Sequence, residues 1–547
     1  MAGDCRRFAE RLIICRCFSS CKDVLAIATS CRSLQHTKPM PHPNPRLYLG
    51  YESLIRRFSL RVPPLQRIFV ATEQTLEKHT FTPDGSERIE LPLRRLSDPE
   101  SYAGQLTFAL KREHLNLTVL GALFEHEEAR DGVQEWLHAM PSSRYSRMAG
   151  HLVEWLSEHK LDYDMPAGNP RIFLLDPTHH ICGPKVLDAK FGIINNVLGG
   201  RAYSPLVRRT PRLTALLEEE LAEKVKTAMS SIEPEMLARA VDYLYLSETR
   251  STYNIENEIP DSHRAGRFRK LLESAGEPGP LTEEQLCAWQ NQIVSDHAAE
   301  YQYRPKQNWL SRPGRMRNIA DFIPPPVELV DPMMDDVAAL ATAASNGELD
   351  PVVAAACASF GLVFVHPFFD GNGRLHRFLL HHVLRQAGFT PGGVVLPLSA
   401  RMLSQLERYS KLLKSYSRPR TDLLEYMLDG DSATILVKSP QPQWLYAYFD
   451  ATDLCEFILE CCKLCVEEDL LSEVIYLRAH DNTVKDLEAW LDMRQSQLNT
   501  LIDVIVQGNG TLSKRKRKLA EGLTDEQLAR VESVVGEHFA AYIDARV

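Results

Sequence analysis

The chain has 547 residues, 44% of them hydrophobic and 25% charged, which suits roughly two to four ordinary globular domains. Its formal net charge of −9 gives no general reason to expect nucleic-acid binding. No run of about 18 uninterrupted apolar residues occurs, so no membrane span is expected and the cytoplasm is the default location. Of 12 cysteines, five fall before residue 32 (Cys5, Cys15, Cys17, Cys21 and Cys31). Four more, Cys455, Cys461, Cys462 and Cys465, sit in DLCEFILECCKLCVEE, whose apolar spacing is helical and which holds no histidine. These read as reduced core thiols rather than a zinc set.

Residues 1–39 are rich in arginine and cysteine and lack the apolar centre of a signal peptide. They read as a leader, either a disordered arm or a misassigned start. Residues 44–96 mix strand-like pieces such as RIFVAT with turns such as TPDGSE. From 102 to 160 apolar residues recur every three or four positions, which predicts helices. The stretch DMPAGNPR (164–171) is a natural break, followed by IFLLD and a loop region to about 211. Helical spacing resumes at LTALLEEELAEKVKTAM and PEMLARAVDYLYLSETR, and ESAGEPGP interrupts it. LTEEQLCAWQNQIV predicts a helix with Thr282 as its N-cap. Residues 301–326 carry alternating and basic residues and end in IPPP, which reads as an extended loop or hairpin. Helices return at DPMMDDVAALATAASN and DPVVAAACASFGLVFV, and the C-terminal third is again largely helical.

The chemistry concentrates in HPFFDGNGRLHR, residues 366–377. Asp350-Pro351 fits a helix start, and 351–365 is a mostly apolar helix that runs into His366-Pro367. DGNG (370–373) forces a turn, because glycine and asparagine tolerate positive φ. RLHRFLLHHVLRQAG then has helical spacing. The pattern is helix, tight loop, helix, and it delivers the second helix by its N-terminus. Free backbone N–H groups and the helix dipole favour an anion there. Arg374 and Arg377 are three apart and can project from one side of the first turn. Their guanidinium forks match phosphate oxygens. Asp370 is a hard oxygen donor suited to Mg²⁺ shared with phosphates. His366, whose unperturbed pKa lies near neutrality, is a candidate general base.

This stretch resembles the Fic (Fido) motif, His-x-Phe-x-Asp/Glu-Gly-Asn-Gly-Arg-x-x-Arg, and fills every specified position: His366, Phe368, Asp370, Gly371, Asn372, Gly373, Arg374 and Arg377. The resemblance is strong over about 235–430 and only general outside it. It implies a mainly α fold: a helical core with a β-hairpin flap, flanked by a mixed α/β N-terminal region and a helical C-terminal region. The corresponding division is a leader at 1–39, an accessory region at 40–210, a Fic domain at 211–430 (core 285–425) and a C-terminal region at 431–547. The implied activity is transfer of AMP from ATP to a Ser, Thr or Tyr hydroxyl of a protein. By the same resemblance His366 accepts the hydroxyl proton, and Asp370 holds Mg²⁺ at the phosphates. Gly371, Asn372 and Gly373 form the anion hole, Arg374 and Arg377 engage the phosphates, and Phe368 is a core anchor. Residues 301–322 resemble the flap on which the target protein docks. Tyr409 matches a tyrosine often found near the adenine, although Ser410 follows it where many relatives carry a second tyrosine.

Many members of that family carry an inhibitory Ser/Thr-x-x-x-Glu-Gly/Asn segment, and Thr252, Glu256 and Asn257 fit it here. The resemblance implies that Glu256 pairs with Arg377 and blocks the γ-phosphate. The plainer alternative is that Glu256 is a solvated charge among other acids, Glu248 and Glu258. Other transferred groups (phosphate, phosphocholine or UMP), removal of AMP, and homodimer formation are open within the family. A DNA-binding protein with a secondary Fic domain is the alternative of a different class. Its only support is RMAGHLVEWLSEH and the basic SKRKRK at 513–518, a charge run that normally marks a solvated face.

Overall fold

The apolar residues are divided over three main cores, held mostly by helices, and the largest core carries the site. The computed structural model describes residues 47–82, 85–230, 232–312, 319–429 and 434–544. The leader and its five cysteines, and the tip of the expected flap at 313–318, lie outside the described residues. Among the described residues no helix is long and apolar enough to cross a membrane.

The N-terminal region is mixed α/β. Strands Tyr48–Leu49, Arg67–Thr72, Glu87–Pro92 and Lys78–Phe81 form a four-stranded sheet in that order. Arg67–Thr72 and Glu87–Pro92 run parallel, with Phe69 opposite Ile89. Helices Tyr102–Arg112, Leu117–Leu123, Glu127–Ala139 and Arg144–Ser157 pack around Tyr51, Leu106, Phe124, Trp136, Leu152 and Phe191.

The main core surrounds the helix Pro351–Val365, which is buried along nearly its whole length and apolar all round, as a central helix must be. Ala354, Ala355, Ala356, Ala358 and Gly361 keep it thin. A Cβ on Gly361 would strike Val337 and Tyr203. The flanking helices are Val330–Ser345, Asn372–Gln386 and Thr452–Leu464. Asp350 caps the central helix, its Oδ1 accepting from the N–H groups of Val352 (2.9 Å) and Val353 (3.0 Å), with Pro351 in the first turn. Thr282 caps Glu283–Ile293 in the same way, by accepting from Gln285.

Packing crosses both boundaries drawn from the sequence, at 210 and 430. Strand Ser204–Arg208 pairs in parallel with Tyr448–Asp450, Ser204 opposite Tyr448. Cys455, Phe457, Ile458, Cys461, Cys462 and Cys465 are buried in the main core, and the cysteines are free thiols. Residues near 181–208 and 443–470 therefore share this core. The C-terminal third is also less purely helical than its spacing predicts, since Tyr426–Asp429 and Thr434–Val437 form a hairpin. Local periodicity does not report the shared core, because parallel pairing between distant segments leaves no mark on either one alone. The last core is a helical unit made by Leu471–Glu488, Gln495–Gln507 and Asp525–Asp544 around Leu498, Leu501, Ile505, Val531 and Phe539.

The long helix Pro234–Ile255 joins these parts. Ile232 and Ala240 at its start pack on Val474 and Leu477 of the C-terminal unit, and Arg239 pairs with Asp481 at 2.7 Å. Its later residues, Leu244, Tyr245, Tyr253 and Ile255, enter the main core. The flap is a short antiparallel hairpin, Leu310–Arg312 with Ile319–Phe322, Ser311 opposite Ala320. Its strands occupy less of 301–322 than the alternating pattern predicts. Replacing Asp350 with Ala should lower unfolding free energy by about 1–2 kcal/mol, because two helix-start donors lose their acceptor. Denaturant titration of the variant beside the native chain measures this.

Candidate active site

The site begins where the central helix ends. His366 terminates that helix in the left-handed region, φ 55 and ψ 57, a conformation that costs a residue with a Cβ on the order of 1 kcal/mol. The turn is held from outside. Arg304 Nε donates to the His366 carbonyl at 2.9 Å, and Asn308 Nδ2 donates to it at 3.2 Å and to Phe368 O at 3.0 Å. The Arg304 backbone N–H donates to Pro367 O at 2.7 Å. Arg304 is 1% exposed, so the negative end of the helix dipole receives a buried cation. Burial pushes the guanidinium down to about 10, where it stays charged.

His366 is also buried, and its Nδ1 lies 3.2 Å from Val363 O. With Nδ1–H donating to that carbonyl, the Nε2 lone pair is left to accept a proton. Burial pushes the ring down to about 4, against a smaller upward effect of the Val363 contact. The sequence expectation of a base near neutrality differs because it takes no account of this desolvation.

The loop closes on itself next. Asn372 Oδ1 accepts from Phe368 N at 3.1 Å, and its Nδ2 donates to Phe368 O at 2.7 Å. The asparagine side chain thus staples the turn, and only its backbone is left for an anion. Phe368 is fully buried, with the Tyr303 ring edge-on to it. Gly371 has φ 86, a conformation suited to glycine, and its N–H donates to Asp370 Oδ1 at 2.6 Å. Helix Asn372–Gln386 then starts with Leu375 N donating to Gly371 O at 2.8 Å. The N–H groups of Asn372, Gly373 and Arg374 therefore have no acceptor within the helix. From the other side, Glu300 Oε1 accepts from Phe369 N (2.9 Å) and Asp370 N (3.4 Å). Buried Gln290 donates to Asp370 O at 3.3 Å and accepts from Glu300 N at 3.2 Å. Burial raises the Glu300 carboxyl to about 7; its hydrogen bonds pull the other way and the nearby Asp370 charge adds to the rise.

Both motif arginines are occupied by oxygens from the end of the long helix. Arg377, 1% exposed, donates from Nε to Thr252 Oγ1 (2.7 Å) and from Nη2 to Thr252 O (2.9 Å) and Glu256 Oε1 (2.8 Å). The Glu256 side chain is only 6% exposed. It lies so close over the loop that a Cβ on Gly373 would overlap it. Asn257 turns left-handed at φ 56, which returns the chain so that Glu258 N donates to Tyr253 O at 3.0 Å. Arg374 then donates to Glu258 Oε2 at 2.9 Å and to Asp370 Oδ1 at 3.0 Å.

The structure brings together His366, Asp370, Gly371, Asn372, Gly373, Arg374 and Arg377 with Thr252, Glu256 and Asn257. Tyr409 does not join them: it is 2% exposed and packs in the core against His376, Phe360 and Phe457, so its ring offers almost no surface to a base. The plainer reading of Glu256 as a solvated charge does not fit its 7% exposure, and of the two acids near it Glu258 is partly exposed while Glu248 is not. Glu248 is fully buried; it accepts from Ser399 N at 2.7 Å, meets Ser399 Oγ and lies 2.9 Å from His381 Nε2. The residues missed in the sequence are Arg304, Asn308, Gln290, Glu300 and Glu258. Polar residues in a loop, or on a helix such as Glu283–Ile293 that carries Gln290, look solvated, and only the position of Glu258, two beyond Glu256, hinted at a role.

Residues 280–384 match the model of the Fic/DOC family, and the chain carries a Fic/DOC domain. Among curated relatives, it is 38% identical over 92 residues to protein adenylyltransferase fic-1 of Caenorhabditis elegans, covering 16% of this chain and 18% of that one. It is 38% identical over 89 residues to protein adenylyltransferase Fic of Drosophila grimshawi, covering 15% and 18%. The matched stretch thus spans less than a fifth of these relatives' length. Among solved structures, a Fic family protein from Desulfovibrio desulfuricans G20 aligns with TM-score 0.35 and 20% identity, over 60% of this chain and 89% of that one.

Arg304→Ala should cost on the order of 3 kcal/mol, since buried carbonyls at the helix end lose their charged donor. Arg304→Lys should recover only part of this, because an ammonium cannot reproduce the guanidinium fork. Denaturation midpoints of the two variants test the order.

Proposed function

We propose that this chain is a protein adenylyltransferase that moves AMP from ATP to a Ser, Thr or Tyr hydroxyl of a target protein, and that Glu256 restrains it. The observation that carries the reading is the single loop that joins a neutral buried imidazole, a helix N-terminus with free N–H groups, a carboxylate and two buried arginines. The names of the relatives matched over the same residues support it.

His366 Nε2 takes the proton of the target hydroxyl as the oxygen attacks the α-phosphorus, and pyrophosphate leaves. The N–H groups at the helix start, with Arg374 and Arg377, meet the charge that develops on the phosphate oxygens. Asp370 suits Mg²⁺ carried by the phosphates. Among the described residues no cluster of three or more His, Cys, Asp or Glu side chains could cage a metal by itself, and Mg²⁺ is commonly held by one carboxylate plus phosphates. When bound, the ion neutralises phosphate charge. The target strand docks on the hairpin Leu310–Arg312 and Ile319–Phe322 by edge pairing. With the Tyr409 ring in the core, other residues select the base.

Restraint follows from competition. Arg377 cannot serve the γ-phosphate while Thr252 and Glu256 hold it. Glu256→Gly should raise self-labelling from radioactive ATP by on the order of tenfold or more, about the effect of removing one charge-assisted competitor. His366→Ala should be inert in either background. Label from CTP, GTP or UTP in place of ATP, or no label from any of them, would refute AMP transfer. The acid limb of kcat/KM, which reports the free protein, should lie well below pH 6. The pKa of His366 is lowered to about 4, so its ring is already neutral above that pH and charges only as pH falls through it.

A further inference from the structure

Glu256 has a neighbour on the same turn that engages the other arginine. Glu258 Oε2 accepts from Arg374 Nη1 at 2.9 Å and from Arg264 Nη2 at 3.0 Å. The side chain of Arg374 is 3% exposed, its Nη2 is spent on Asp370, and its Nε is buried with no hydrogen-bond partner. Tyr253, from the same helix end, lies beside both guanidiniums, with ring centroid 5.4 Å from the carbon of each. The left-handed Asn257 is what lets the two glutamates face different arginines.

We infer that Glu258 is a second restraining carboxylate, which holds Arg374 away from phosphate while Glu256 holds Arg377. This rests on the adenylyltransferase reading and adds to its regulation. In the resting arrangement Arg377 meets Glu256, and Arg374 bridges Glu258 and Asp370. Each motif arginine thus already faces a carboxylate of the chain, Arg377 through Glu256 and Arg374 through Glu258 and Asp370. A tetra-anionic nucleotide thus meets arginines whose charge is already neutralised. Loss of Glu256 alone frees one arginine and leaves the other engaged. The competing role is that of a positioning residue, in which Glu258 holds Arg374 in the geometry phosphate needs. The two roles predict opposite signs.

The test uses the full chain with Glu258→Gln and Glu258→Ala, each in the native and the Glu256→Gly backgrounds. Glutamine keeps the size and an acceptor but loses the charge, and Glu258 is 36% exposed, so folding tolerates it. Self-labelling from ATP should rise a further roughly three- to tenfold in the Glu256→Gly background, the range for a partly exposed charge pair on a buried arginine. Calorimetry with Mg²⁺-ATP on the His366→Ala chain reads occupancy without chemistry, and Glu258→Gln should tighten Kd by a similar factor. Unchanged or weaker nucleotide binding overturns the inference, and a fall in both readouts assigns Glu258 to positioning. If Glu256→Gly transfers no label from ATP, AMP transfer fails, while the Kd of the Glu258 variants still decides whether Arg374 is withheld.

Discussion

Two buried helix ends meet in one short turn, and the site follows from what each of them lacks. The central helix stops at Val365 and the next begins at Asn372. The first end leaves carbonyls without donors and the second leaves N–H groups without acceptors. Neither set can be abandoned in a core, where an unpaired polar group costs about 1–3 kcal/mol. Arg304 and Asn308 satisfy the carbonyls permanently. The N–H groups and the neighbouring arginines are left for something anionic.

Under the proposed function, stability and restraint are one interaction. An arginine as buried as Arg377 would be costly with no anion beside it, because its desolvation would go uncompensated. Glu256 supplies that anion from within the chain, and in the proposed function the nucleotide would supply it from outside. This explains why the glutamate comes from the end of a long helix anchored elsewhere. Buried Glu248, bound to Ser399 beside His381, fixes that helix about two turns before the site. The start of the helix packs on the C-terminal helical unit through Ala240, Val474 and Leu477. The carboxylates at the loop are therefore tied to two separate cores.

The motif loop and its helices were legible because they are local. Twelve contiguous residues contain the turn glycines, the acid, the two arginines and the histidine, and the helix start at Asp350-Pro351 is written in adjacent letters. The helical spacing of 102–160 and the strand-like RIFVAT were readable for the same reason. The extent of the core was not. Ser204–Arg208 and Tyr448–Asp450 pair from opposite sides of the domain, and neither segment by itself names the other.

By itself the sequence determined where the turn falls and where the helix before it begins and ends, since glycine, proline and cap residues act on their immediate neighbours; the second helix starts at Asn372, two residues before its spacing marks it. Tertiary structure alone decided protonation and pairing. Burial, set by the assembled helices, makes His366 a neutral ring well below its ordinary pKa. Packing places Tyr409 in the core, converts the basic Arg304 into the buried cation of a helix end, and aims Glu256 and Glu258 at two different arginines. Electrostatic interaction depends on distance in space and on the exclusion of water, and spacing along a chain contains neither.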